Sequence, residues 1–206
     1  MCLHNLYTIG YSGFTTSDFI DTLKKYSICA LVDVRTAPYS SYFEQYNINI
    51  LKDDLNKHSI HYLFLGVELG AKPKDVALYS NNVVDFAKMA KSDAFISGYK
   101  RIREGLNKFN ICLMCAEKDP INCHRAIFIT HYLRNIYRKI NIFHILSLQE
   151  IKPEHQNELD ERVMSMKNLK HPNLWGMSYE DRLNEAYSLR QKEIAYNATM
   201  EMSNND

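Results

Sequence analysis

The sequence lacks a surplus of charge of either sign. Its 25 basic residues meet 24 acidic ones, leaving a net charge of +1. No global field therefore draws the protein to nucleic acid or a membrane, and any anion site has to be a local cluster. It also lacks a long apolar run; the longest are of strand length, too short to span a bilayer as a helix. The opening residues, Met1-Cys2-Leu3-His4-Asn5, lack the positive segment and apolar stretch of an export leader. An even set of cysteines is missing too. The five present are scattered, which, without an export signal, reads as reduced thiols in the cytoplasm. No repeat or low-complexity block interrupts the chain.

What is there is ordinary for a globular domain: 46% hydrophobic and 24% charged residues over 206 positions. That composition excludes a disordered chain, and the length buries a core without disulfide or metal staples. Short apolar runs alternate with helical patterns. Residues 6–10 read as a strand. A helix from the Thr15-Thr16-Ser17 cap cluster to Tyr26 carries Phe19, Ile20 and Leu23 on one face. Residues 28–34 read as a strand buried on both faces, 48–58 as a helix with Ile48, Leu51 and Leu55 inward, and 60–65 as a third strand. Residues 66–82 read as a long loop, and 83–106 as a helical region broken near Ser92-Asp93. A strand at 111–116, a helix at 120–138 striped by Ala126, Ile129, Leu133 and Ile136, and a strand at 142–146 complete the pattern.

This alternation predicts an α/β fold: a mostly parallel sheet of about five strands, helices on both faces, a Rossmann-like three-layer body. It occupies residues 1–150. Residues 151–196 form a helical extension packed on it, with helices at 154–167 and 178–194, the second opened by Ser178 and Asp181. Residues 197–206 read as a flexible tail. Trp175, the sole tryptophan, reads as the anchor of the extension.

In such a sheet ligands bind at the carboxyl ends of the strands, and the unusual residues gather there. Gly10-Tyr11-Ser12-Gly13 follow the first strand, Asp33 and Arg35 with Pro38 and Ser40 the second, and Leu65-Gly66 the third. Cys115-Ala116-Glu117-Lys118-Asp119-Pro120-Ile121-Asn122-Cys123-His124-Arg125 follow the fourth. Asp119-Pro120 is a helix start, which puts Cys123, His124 and Arg125 in the first two turns, at the positive end of the dipole. A cysteine there beside His and Arg has the surroundings that lower a thiol pKa. Cys123 is the candidate nucleophile, unless it merely lines a ligand or packs. Asp33 and Glu117 are candidate acid–base groups, although Asp33 and Arg35, facing the same side of a strand, can equally form an internal ion pair. Tyr11, Ser12, Arg35, Ser40, Cys115, Lys118, His124, Arg125 and His155 are candidate substrate contacts, the arginines as anion grips.

No metal site is assigned. Cys112 and Cys115, three apart on a strand, point to opposite faces. Cys115, Cys123 and His124 could hold zinc with His155 or Asp33, but helical neighbours such as Cys123 and His124 point about 100° apart, which hinders joint ligation. His58, His61 and His144 have no visible partner.

The motifs Tyr7-Thr8-Ile9-Gly10-Tyr11-Ser12-Gly13, Leu31-Val32-Asp33-Val34-Arg35 with Pro38 and Ser40, and Leu113 to Pro120 closing in Cys123-His124-Arg125 resemble the family catalogued as domain of unknown function DUF488. The likeness spans about residues 5–165. It implies an α/β fold in small prokaryotic, cytoplasmic proteins and carries over no established reaction. The family often has Gly-Gly-Arg in the third loop; here Gly70-Ala71-Lys72 stands instead, which restricts the backbone and replaces a forked donor with a point charge.

Three functions compete. The first is an enzyme acting on a nucleotide, a nucleic-acid base or another phosphorylated molecule. The second is a non-catalytic nucleotide or nucleic-acid binding module, using the Tyr- and Arg-rich stretches 99–103 and 132–139. The third is a thiol redox protein using Cys115 and Cys123. The implied partner is a phosphate-bearing ligand or nucleic acid, and no membrane; no cofactor or oligomeric state is read.

Overall fold

The computed structural model describes residues 5–172 and 176–199; the Trp175 expectation lies outside them. β1 (Leu6–Gly10) leads into α1 (Thr16–Lys25), whose first turn is closed by the Thr15 hydroxyl accepting from the Asp18 amide at 3.1 Å. β2 (Ala30–Asp33), α2 (Ile48–Lys57) and β3 (His61–Phe64) follow, close to the segments expected.

The stretch read as one long loop holds more structure. It contains a single-turn helix, α3 (Gly66–Leu69), and β4 (Tyr79–Ser80), which pairs antiparallel with β5 (Val83–Val84). Asn81 and Asn82 close that hairpin, both at positive φ, a conformation asparagine tolerates better than most residues. The expected helical region therefore begins as a strand and then divides. α4 (Phe86–Met89) is capped by Asp85, and α5 (Asp93–Gly105) is capped by Ser92, so the expected break falls at the cap.

β6 (Ile111–Cys115) is fully buried. The helix expected at 120–138 is three pieces: a 3₁₀ turn at Pro120–Asn122, a π-helical run at Arg125–Thr130 and α6 (His131–Ile136). Ile136, expected on the buried stripe, is exposed. After β7 (Ile142–Ile145) comes β8 (Glu154–His155), then α7 (Gln156–Met166) and α8 (Tyr179–Ile194), the last capped by Ser178 as its sequence suggested.

The sheet order is β3-β2-β6-β1-β7-β8, five strands parallel and β8 antiparallel on the edge. The sixth strand comes from the extension, whose sequence carries no strand pattern beyond two residues. Crossovers from β1 to β2 and β2 to β3 run one way along the sheet; those from β3 to β6 and β6 to β7 run the other way. Right-handed crossovers put the two sets on opposite faces. The two cores confirm this. Tyr7, Ile9, Cys112 and Met114 pack with Phe19, Leu23, Leu51 and Leu55 of α1 and α2. Leu6, Ile111, Leu113 and Cys115 pack with Phe95 of α5 and with Phe128 and Leu133 beyond β6. β6 thus alternates residue by residue between the two cores.

β1 and β6 are neighbours whose continuations leave in opposite directions. Their carboxyl ends form the topological switch point, the place where open α/β sheets generally bind ligands.

The extension covers the π-helical run. Leu159, Val163, Leu183 and Tyr187 pack on Ile121, Ala126 and Ile127. The start of the expected tail is paired: Asn197 bridges Val83, and the Ala198 amide donates to the Asn82 carbonyl at 2.9 Å.

Candidate functional site at the switch point

The site begins with the way β1 and β6 end. Their register, Gly10 opposite Cys115, is prolonged by two bonds: the Tyr11 amide donates to the Cys115 carbonyl and the Ser12 amide to the Ala116 carbonyl, each at 3.1 Å. Gly13, at φ 95°, turns the chain back, a conformation that favours glycine. The loop after β6 is thereby laid along the loop after β1.

That loop places Cys123 differently from the sequence reading. Cys123 is extended, with φ −127° and ψ 136°, and not helical. Its carbonyl accepts from the Ala126 and Ile127 amides, so it precedes the first turn, and His124 is the first helical residue. The reason is local. Asp119 and Pro120 start a short 3₁₀ turn, capped by Asp119 accepting from the Ile121 amide, and this turn ends before the longer helix begins. The change from extended to helical backbone between residues 123 and 124 turns the two side chains toward one point. The obstacle to joint ligation, which assumed one continuous helix, is removed.

The result is a cluster. Glu117 Oε2 lies 3.0 Å from Cys115 Sγ and 3.0 Å from Cys123 Sγ. His124 Nδ1 lies 3.9 Å and 3.8 Å from the same sulfurs. The other ring nitrogen, Nε2, lies 3.2 Å from the Val34 carbonyl. Cys115, Cys123 and His124 could hold a metal, since one donor atom from each lies within 4.8 Å of the others. Cys112 faces the opposite core, as the strand argument required.

The electrostatics follow from this crowding. Burial works against a thiolate at Cys123, but the hydrogen bond from Cys115, the Arg125 guanidinium and His124 outweigh it and hold that thiol well below an ordinary cysteine. Cys115 is pushed up, first by its hydrogen bond with Cys123 and then by burial. Glu117 is raised by burial and by Cys123. His124 is raised because Cys123 outweighs the effect of burial on the ring.

Both arginines are engaged inside the protein, although Arg35 keeps one buried nitrogen, Nη1, without a hydrogen-bond partner. Arg125 is fully buried: Nη1 donates to the Glu117 carbonyl at 2.5 Å, Nη2 to the Lys118 carbonyl at 3.0 Å and Nε to Thr8 Oγ1 at 3.4 Å. It clamps the thiol-bearing loop to β1. Arg35 and Asp33 form the internal pair, with Nη2 2.6 Å from Oδ2, and Asp33 also accepts from the Tyr62 hydroxyl at 2.8 Å. Arg35 Nη2 donates to the Tyr46 carbonyl as well, and its guanidinium lies 5.2 Å over the Tyr11 ring.

Other expected residues spread out around this centre. Tyr11 is buried, stacked on Tyr46 at 4.4 Å and edge-on to Phe43 at 5.6 Å. Ser12 is half-buried, and Lys118 is exposed beside Gly13. Ser40 closes its own turn, accepting from the Tyr42 and Phe43 amides. His155 is not brought to the cluster. It sits on β8, three strands from β6, and caps α7 by accepting from the Asn157 amide at 3.2 Å. The Tyr- and Arg-rich stretches pack on themselves: Tyr99 meets Tyr132 and Tyr137, and Arg103 lies over Tyr137.

Sequence reasoning missed a buried polar chain behind Arg125. Thr8 Oγ1 lies 2.9 Å from His144 Nδ1, and His144 Nε2 lies 3.1 Å from Gln156 Oε1. Gln156 Nε2 donates to Asp160 and to the Tyr187 hydroxyl. The one available signal was three polar residues, Thr8, His144 and Gln156, within or beside apolar runs. A further miss is the exposed aromatic loop after β2, carrying Tyr39, Tyr42 and Phe43.

A protein-family model described as domain of unknown function DUF488 matches residues 15–133. No curated protein and no solved structure matches the chain.

Proposed function

The chain belongs to the DUF488 family, and we propose that it is an enzyme acting at the carboxyl edge of its sheet on a nucleotide-related or otherwise phosphorylated substrate. One observation carries this reading: two thiols, an imidazole and a carboxylate converge at the switch point, with Glu117 Oε2 3.0 Å from both sulfurs. Packing alone has no use for four such groups at one place, whereas chemistry at a strand end does. Glu117 is the proton carrier of the set, since its residue reaches solvent while its carboxylate rests on the sulfurs.

Two surfaces support the substrate class. Tyr42 is 90% exposed and Tyr39 63%, on the loop whose Phe43 touches Tyr11; such rings stack a nucleobase. A cleft of about 670 Å³ lies at the carboxyl ends of β2 and β3, lined by Thr36, Lys72, Lys74 and Lys91 among others. Its volume suits a nucleotide-sized ligand, and its lysines, which share the lining with Glu68, Asp75 and Asp93, offer contacts to phosphate.

The test is a turnover screen of nucleotides, nucleobases and phosphorylated small molecules, using the wild type, Cys123→Ser and Glu117→Gln. Loss of turnover in both variants at unchanged melting temperature supports the reading. Turnover retained in both removes the site, and a wild type inert to the whole panel removes the substrate class.

The closeness of Cys115 and Cys123 favours one second reading, a dithiol that peroxide oxidises to a disulfide while itself becoming water. Peptide mapping without reductant decides it by finding or missing the Cys115–Cys123 link.

A further inference from the structure

We infer that Cys115 Sγ, Cys123 Sγ and His124 Nδ1 are the three protein ligands of a soft divalent metal ion of the zinc class, its fourth position facing Glu117. The inference builds on the site proposed above and gives that site its Lewis acid.

Distance is the first argument. Tetrahedral zinc, with sulfur at about 2.3 Å and nitrogen at about 2.0 Å, sets its donors roughly 3.3–3.8 Å apart. The imidazole nitrogen already lies 3.8 Å and 3.9 Å from the two sulfurs, and all three donors lie within 4.8 Å of one another. An ion has to draw together donors that already stand no more than 4.8 Å apart.

The ring of His124 is also oriented for ligation. A metal-binding histidine nearly always donates its other N–H to a carbonyl or carboxylate, which fixes the tautomer. His124 Nε2 meets the Val34 carbonyl at 3.2 Å, leaving the Nδ1 lone pair directed at the sulfurs. A histidine that only filled core space would not need this carbonyl behind it and two thiols in front.

The three donors are preorganised as well. Cys115 is 5% exposed, Cys123 1% and His124 6%. The loop joining them is held by Arg125 through the carbonyls of Glu117 and Lys118. Ligands fixed on a clamped loop and a strand end are already ordered before an ion arrives.

Donor chemistry selects the ion. Two sulfurs and an imidazole suit zinc and its soft neighbours, and do not suit magnesium or calcium, which take oxygen. Three protein donors leave one position. Glu117 Oε2 lies beside the two sulfurs, 3.0 Å from each, on a residue that reaches solvent. Structural zinc sites are closed by four protein ligands, and catalytic ones keep a position for water or substrate; three protein donors with Glu117 alongside the remaining position match the second kind.

The test uses the full chain, reduced and stripped with chelator, then titrated with Co²⁺ and displaced by Zn²⁺. The expected result is one equivalent per chain, a thiolate-to-cobalt charge-transfer band, tetrahedral d–d bands and loss of both on adding Zn²⁺. Cys115→Ser and Cys123→Ser should each weaken binding at least tenfold and diminish the charge-transfer band, while Cys29→Ser leaves both unchanged. Should the serine variants fail to fold, wild-type alkylation decides: Zn²⁺ must protect Cys115 and Cys123 while Cys29 still reacts. A folded wild type with no thiolate band, a full band in Cys115→Ser, or alkylation indifferent to Zn²⁺ overturns the proposal. Turnover that persists in stripped protein overturns the ion's role as the Lewis acid of the site and leaves the enzyme reading standing. Stoichiometric metal with no turnover on any compound does the reverse.

Discussion

Gly10 and Glu117 touch through their backbones: a Cβ placed on residue 10 would lie 1.7 Å from the Glu117 carbonyl oxygen and 2.9 Å from Lys118 Cα. Neither neighbour is a side chain that can swing away. Gly10→Ala must therefore lift the thiol-bearing loop off the end of β1. The expected cost is about 3 kcal/mol, the upper end for an overpacked core position, read by urea denaturation. Faster alkylation of Cys115 and Cys123 in the still-folded variant would show that the loop has moved.

Arg125→Lys tests the clamp from the other side. Lysine keeps the charge but cannot span two carbonyls and Thr8 with a planar fork. Orphaned buried carbonyls cost about 1–3 kcal/mol each, so a loss of about 3 kcal/mol is expected. An unchanged denaturation midpoint would show that the fork is dispensable.

Acid should destabilise the protein through its buried histidines. Burial lowers His144 from 6.5 to about 3, with Arg125 adding to the effect, and lowers His131 to about 3, with Arg134 adding. The sign follows directly: the unfolded chain binds these protons first. Stability is thus whole above pH about 6.5 and declines as pH falls toward about 3, by up to roughly 1.4 kcal/mol per unit for each histidine. Urea midpoints at pH 7, 5.5 and 4.5 measure the slope. His144→Asn should flatten it, and an equal slope in that variant would refute the assignment.

Tyr42→Ala and Tyr39→Ala should leave melting unchanged, since both rings are largely in solvent. Each should weaken binding of a nucleobase-bearing ligand by about 1–3 kcal/mol while sparing small phosphorylated compounds without a base. Calorimetry on paired ligands measures the difference; equal losses for both classes would mean that the loop does not stack bases.

The parts legible from sequence were those decided within a few residues. β1 ends where its apolar run ends, and Thr15, Ser92 and Ser178 cap helices as short polar side chains do at such positions. The residue types of the site were legible as well, because they follow strand ends, and parallel strands bring such ends together. What was not legible depends on distant partners. Nothing near Arg125 announces that its guanidinium faces carbonyls instead of solvent, since Thr8, its third partner, is 117 positions away. His144 seemed unpartnered because Thr8 lies 136 positions away. The Asn81-Asn82 turn is a local signal, two residues of a type that tolerates positive φ. The direction of Cys123 is not legible because a 3₁₀ turn and a longer helix share the same apolar pattern, and only the extended residue between them sets the directions of Cys123 and His124.

The reach of the buried polar chain sets the length of the folding unit. The family model matches residues 15–133. Yet the strand paired on both sides at the middle of the sheet is β1, before that stretch, and Gln156, Asp160 and Tyr187, which complete the chain from Thr8 and His144, lie after it. A polypeptide trimmed to the matched region would lose its central strand and its closing helices together. Hydrogen exchange should therefore find the amides of β1, β6 and α7 opening in one concerted event.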